Sequence, residues 1–265
     1  MSGIIFVLIA IAIIIFIKVK SKKKQNKILE EISKPFSMKW KDILKKKVIF
    51  YKRLSEEDKK VFEKRILLFL ATKKIEGIDT DIDDSIRLMV ASSAIIPVFA
   101  FPKFNYPRIN QVLIYPNSFD KNFQTERFEN HKQFIIGMVG DGVMSGTVAL
   151  SKPDLIDGFD GVRHKKNVGI HEFVHLIDKQ DGIIDGVPEL LLKHSYVGTW
   201  LHEIRSEMHR IKKRKSDINP YALTNNAEFL AVVSEYFFSN PVKFNKKHPE
   251  LYRYLKTIFH QETKK

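Results

Sequence analysis

The chain has 265 residues, 44% of them hydrophobic, a net charge of +14 and no cysteine. That length holds one or two domains with a substantial core, and the missing thiols exclude a disulfide scaffold, a thiolate zinc site and a cysteine nucleophile. Residues 18–47 hold twelve lysines against three acids, so +9 of the +14 sits in thirty residues; a nucleic-acid partner is not expected, because such binders spread basic residues over a folded surface.

The N-terminal stretch MSGIIFVLIAIAIIIFI, residues 1–17, is uncharged. As a helix rising about 1.5 Å per residue it reaches roughly 25 Å, just short of a hydrocarbon core, and long lysine stems can extend it. A cleaved signal peptide would carry a basic region before the apolar run and a small-residue cleavage site after it. A buried core helix would carry some polar face. The expectation is therefore a transmembrane anchor over residues 1–20 and a basic linker over 21–37. The lysines after the run predict a single-pass membrane protein whose remaining chain, 38–265, lies on the cytoplasmic side, with the lysines touching anionic headgroups.

Residues 54–74 read as a helix, with Ser55 as N-cap and Val61, Ile66, Leu67 and Leu70 as its apolar face. A second helix is predicted over 82–99, stopped near Pro97. INQVLIYP, QFIIGMVGDG and SGTVALSK, between residues 109 and 152, are short, β-branched and bounded by Gly, Pro and Asn. They read as strands of a small sheet. Helices return at about 165–179, 189–213, 224–239 and 247–262. Helices, then a small sheet, then helices argues for an α+β fold.

GIHEFVHLID, residues 169–178, places His171 and His175 four apart, with Glu172 between them. Four residues is slightly more than one helical turn, so both imidazoles stack on one face and can share one ion. Glu172 lies close enough to take a proton from a water that zinc has acidified. This is the HExxH logic of zinc peptidases. A surface helix with two titrating histidines is the bland rival. The preceding sheet and the apolar Val168, Val174, Leu176 and Ile177 count against it, and Asp181-Gly182 marks the exit turn.

A catalytic zinc needs a third protein ligand. A metzincin would continue with glycine at position 178 and histidine at 181, where this chain has Asp178 and Asp181. His194, His202 and His209 carry no supporting pattern. The best region is NPYALTNNAEFLAVVSEYFF, residues 219–238, where Glu228 and Glu235 are seven apart and share one helix face. A carboxylate on an otherwise apolar helix needs a partner, and a metal is a good one. Spacing alone leaves both glutamates open.

These segments, with GVP at 186–188, VLIYP and SGTVALSKPDLIDGFDG, resemble the Mlc titration factor A family of zinc metallopeptidases, from about Trp40 to Phe259. The resemblance does not reach the N-terminal stretch. It implies a zincin-like α+β fold related to the gluzincins, with His171, His175 and Glu228 as zinc ligands and Glu172 as general base. It places Tyr221 where a phenol would steady the oxyanion. Glu235 and Asp178 become carboxylates that orient the ligand imidazoles, and SGTVALS becomes the edge strand beside the cleft. The implied partner is a peptide or protein substrate, with cleavage as an aminopeptidase one option. The family name also records binding to a transcriptional repressor, so a regulatory module that sequesters a protein partner is the alternative. No residue here carries that partner.

Overall fold

The computed structural model describes residues 2–119, 135–140, 144–160 and 166–263. In chain order the first elements are α1 (Ser2–Ser33), α2 (Met38–Lys47), α3 (Ile49–Arg53), α4 (Glu56–Thr72), β1 (Lys74–Gly77) and α5 (Asp84–Ile95). The sheet continues with β2 (Gln111–Tyr115), β3 (Gly137–Val139) and β4 (Thr147–Ser151). Then come α6 (Lys152–Asp157), α7 (Val168–Asp178), α8 (Val197–Lys212), α9 (Asn226–Ser239), α10 (Pro241–Lys247) and α11 (Pro249–Phe259). The fold is α+β, as expected.

The N-terminus departs from expectation. Residues predicted as a linker are helical as far as Ser33. Among the described residues, no helix is long and apolar enough to cross a membrane. The expected transmembrane anchor and single-pass placement are therefore overturned. The uncharged run ends at Ile17, and Lys18, Lys20 and Lys22 to Lys24 follow in the same helix. Sixteen uncharged helical residues, from Ser2 to Ile17, rise only about 24 Å, against a hydrocarbon thickness of about 30 Å. Towards its other end α1 packs on α4, with Ile28, Glu31 and Ile32 half-buried.

Ser55 does cap α4, accepting a bond from the Asp58 N–H. The buried face is Phe62, Ile66 and Phe69, one residue round from the predicted stripe, and Val61 is exposed. The phenylalanines offer more apolar area than Val61 does, so they set the helix's rotation. Tyr51 and Lys41 hold the buried Glu63 at 2.6 Å and 3.3 Å, tying α2 and α3 to α4.

The sheet order is β1-β2-β4-β3. β1, β2 and β4 run parallel, while β3 is antiparallel to β4 with Met138 opposite Ala149. β4 is buried along its whole length, as a covered interior strand requires. SGTVALS is therefore not the edge strand; among the described residues β3 is the edge on that side. Of the segment QFIIGMVGDG, residues 133, 134, 141 and 142 lie outside the described residues. The core lies where α7, buried at every position, is enclosed by α5, α9 and the sheet.

Candidate metal centre

Local sequence sets the start of both helices that form the site. Asn167 caps α7 by accepting the Ile170 N–H at 2.9 Å, and Asn225 caps α9 by accepting the Glu228 N–H at 2.8 Å. Gly182, at φ +109, turns the chain away after α7. α7 and α9 then pack face to face. Gly169 permits the approach of α5 on the opposite side: a methyl group there would lie 2.1 Å from Ser93 Oγ.

His171 and His175 present their Nε2 atoms 3.1 Å apart. Glu228 Oε2 lies 2.9 Å from the first and 3.4 Å from the second. Among the described residues, these three are the only His/Asp/Glu group able to share an ion. Tetrahedral ligands about 2.0–2.1 Å from a zinc ion stand about 3.3 Å from one another, so the donor spacing fits such a centre. Two imidazole nitrogens and one carboxylate oxygen also suit zinc chemically.

Glu235 lies on the far side of His171. Its Oε1 is 2.7 Å from His171 Nδ1, and its Oε2 accepts the Asn167 N–H at 2.5 Å. One carboxylate therefore fixes the imidazole and satisfies the backbone at the start of α7. The heptad spacing puts Glu228 and Glu235 two turns apart on one face of α9, and the packing of that face on α7 brings one to Nε2 and the other to Nδ1. Asp178 is wholly buried, and its Oδ2 accepts the Gly186 N–H at 2.8 Å. Its Oδ1 and His175 Nδ1 have no hydrogen-bond partner among the described residues.

Glu172 is buried beside the ligands. A methyl group at Gly137 on β3 would lie 2.6 Å from Glu172 Oε1, so the edge strand rests directly on this side chain. Tyr221 sits in a short 3₁₀ turn, Pro220–Leu223, half-exposed, with its ring 6.1 Å from that of His171. Asp181 lies in the exit turn and accepts the Ile183 N–H. His194, His202 and His209 are exposed and outside the group.

The electrostatics follow from burial and crowding. Burial would raise the Glu228 carboxyl, but the two histidines outweigh it and hold the group down at about 2. Burial lowers the affinity of His171 for a proton, yet Glu228 and Glu235 together raise it well above the ordinary imidazole range. Burial pushes Glu172 up, the histidines only partly offsetting it. Burial raises Asp178 to about 6, against the opposing Gly186 N–H. Tyr221 is raised by burial first, then by the charges of Glu228, Glu172 and Glu235.

Two residues escaped the sequence reading. Asn167 carried a signal, a capping residue type just before an apolar run. Gly137 carried none, because its importance comes from which strand lies against α7.

The profile of the glucose-regulated metallo-peptidase M90 family matches residues 19–260. An uncharacterized protein of Synechocystis sp. is 28% identical over 245 residues, 85% of each chain. Mlc titration factor A of Escherichia fergusonii is 31% identical over 198 residues, 70% of this chain and 72% of its own. Mlc titration factor A of Escherichia coli (strain 55989) is 29% identical over 205 residues, 73% of this chain and 76% of its own.

Proposed function

This chain belongs to the glucose-regulated metallo-peptidase M90 family, and from that premise we propose that it is a zinc-dependent peptidase using His171, His175 and Glu228 as ligands. The observation that carries the reading is the convergence of three ligand atoms within 3.4 Å of one another beside a buried Glu172. A site serving structure alone has no need of a base at that position.

When bound, zinc supplies Lewis acidity and brings the pKa of a water near 7. Glu172 takes the proton of the attacking water and hands it to the leaving amine, and its raised pKa suits a group that must both accept and release a proton. Tyr221 donates from its phenol to the carbonyl oxygen as negative charge develops there. Its own raised pKa keeps that proton in place at neutral pH. Glu235 fixes His171 through Nδ1, which would leave Nε2 free to ligate a bound ion. Asp178, which lies close enough to feel the charge of His175, would orient that imidazole, whose Nδ1 has no hydrogen-bond partner among the described residues. The outer edge of β3 pairs with no strand among the described residues, so an extended peptide can add there with its scissile bond near Glu172.

The test is zinc analysis together with a peptide library, run on wild type and Glu172→Gln. The variant is expected to keep its zinc and lose hydrolysis by about 10²–10⁴-fold, the usual worth of a general base. Hydrolysis that survives the substitution overturns the reading. Pairing each peptide with its N-acetylated form separates aminopeptidase from endopeptidase action. The alternative, a module that sequesters a regulatory protein, predicts instead that Glu172→Gln leaves the biological output intact.

A further inference from the structure

A second polar cluster meets α9 at Tyr236, about a quarter-turn round the helix from the metal-site glutamates. Asp217 is at its centre. Its Oδ1 meets His248 Nε2 at 2.8 Å, and its Oδ2 accepts the Tyr236 hydroxyl at 3.0 Å. Lys247 lies 3.2 Å from the same oxygen and Lys243 3.8 Å. His248 is buried, with its Nδ1 3.2 Å from Glu207 Oε1, and the wholly buried Glu207 is held in turn by Arg210 at 2.8 Å. Asp217 is thereby fastened to α8, α9 and α10 at once. Tyr236 directly follows Glu235, so the anchor and the metal centre hang from adjacent residues of one helix.

The segment that carries Asp217 also carries Tyr221. After α8 the chain reverses at Arg214, at φ +55, and returns through Ile218 and Asn219 to the 3₁₀ turn. Ile218 and Ala222 are buried, and the Asn219 side chain accepts the Tyr221 N–H at 3.1 Å. The Tyr221 side chain is 53% exposed, and its phenol oxygen has no hydrogen-bond partner among the described residues. The ring's place is therefore set by the backbone that delivers it. Apolar contacts at Ile218 and Ala222 fix depth; Ser216 hydrogen-bonds Glu207 on α8, and Asp217 makes the directed polar contacts to α9 and α10.

We propose that Asp217 is a positioning residue, which through Tyr236 and His248 fixes the segment that holds Tyr221 over His171. The proposal rests on the reading of Tyr221 as the oxyanion donor for its kinetic consequence, but not for the anchoring itself. Displacing a catalytic group by about 1 Å costs on the order of 10²-fold in rate, so a loosened segment would be felt in turnover.

The experiment labels the protein with 3-fluorotyrosine and identifies the Tyr221 ¹⁹F resonance by its absence in Tyr221→Phe. In metal-free protein, Asp217→Ala is expected to move the Tyr221 resonance toward the free-tyrosine position. His248→Gln, which leaves Asp217 in place but changes its buried partner, is expected to do so to a smaller degree and serves if the first variant folds poorly. A Tyr221 resonance unmoved in both variants overturns the proposal, whatever the kinetics. In zinc-loaded protein, Asp217→Ala is expected to lower kcat about 10- to 100-fold with little change in KM and zinc content. In the Tyr221→Phe background it is expected to have less than about a twofold further effect. An equal loss in both backgrounds marks a general structural defect and overturns the proposal. A Tyr221→Phe that is fully active, with the resonance still displaced by Asp217→Ala, sinks the oxyanion role of Tyr221 and supports the anchoring.

Discussion

Asp178 is a buried carboxylate with little to compensate its charge. It is fully buried, holds one N–H from Gly186, and is raised by burial from 3.8 to about 6. A folded-state pKa above the unfolded value means that the native state holds the extra proton between those limits. Stability from this group is therefore greatest at acid pH, declines as pH rises through about 6, and stays low above it. Two units correspond to roughly 3 kcal/mol as an upper bound. Asp178→Asn is expected to melt higher than wild type at pH 8 in the metal-free form and at the same temperature near pH 3.5, as read by calorimetry. If Asp178 also orients His175, the same variant binds zinc about 10- to 100-fold more weakly. A variant that melted lower at both pH values would mean the carboxylate has a partner that compensates its burial. Gly137 makes a sharper residue-level case. A methyl group there meets Glu172 Oε1 and Val168 Cγ2, both at 2.6 Å. Gly137→Ala is expected to keep zinc and lose most turnover, because the side chain that must yield is the proposed base. Unchanged turnover by stopped-flow assay would show that β3 can retreat without disturbing Glu172.

Between elements, the decisive contacts are those of α7. Gly169 lets α5 approach so closely that a methyl group would overlap Ser93 Oγ at 2.1 Å and Cβ at 2.7 Å. Gly169→Ala should cost about 1–3 kcal/mol by overpacking, measured as a shifted denaturant midpoint; Ser93→Ala in the same chain should recover part of it. The helices around the site were legible in the sequence because their caps and apolar periods are local. Ser55, the HEFVH spacing and the turn at Asp181-Gly182 all stand where local chemistry puts them. What was not legible depends on pairing. The resemblance implied an edge strand at SGTVALS, yet β4 is interior because β2 and β3 flank it. β1, the four residues Lys74–Gly77, has no strand pattern of its own and exists by pairing with β2. The rotation of α4 turned on whether Val61 or Phe62 faced the core. Glu228 and Glu235 could not be told apart by spacing, because a heptad puts both on one face. Only the tertiary packing of α9 on α7 gives one Nε2 and the other Nδ1.

At the scale of the whole molecule, a cation held by His171, His175 and Glu228 would crosslink α7 to α9, which are far apart in sequence and meet at the centre of the core. Without a cation, His171 holds a proton more firmly than an ordinary imidazole: burial opposes this, but Glu228 and Glu235 prevail. Its folded pKa therefore lies above its unfolded one. The stability this ion-pair network adds to metal-free protein is fully present below the unfolded pKa of 6.5 and fades as pH rises through the folded value. A zinc ion needs the same nitrogen without its proton, so zinc binding strengthens over the range in which the protonated network weakens. Ligand that binds only the native state at a thousand times its Kd adds about 4 kcal/mol, which for a chain of this size is about 8–16 °C in Tm. The gap in Tm between zinc-loaded and chelated protein is expected to widen steadily from pH 6 to pH 9. In Glu228→Ala it should shrink to a few degrees and lose most of its pH dependence, because the third ligand and the carboxylate that raises His171 go together. Differential scanning calorimetry across that range decides it: a gap that stays constant with pH, or that survives intact in Glu228→Ala, would mean that zinc stabilises this protein somewhere other than between α7 and α9.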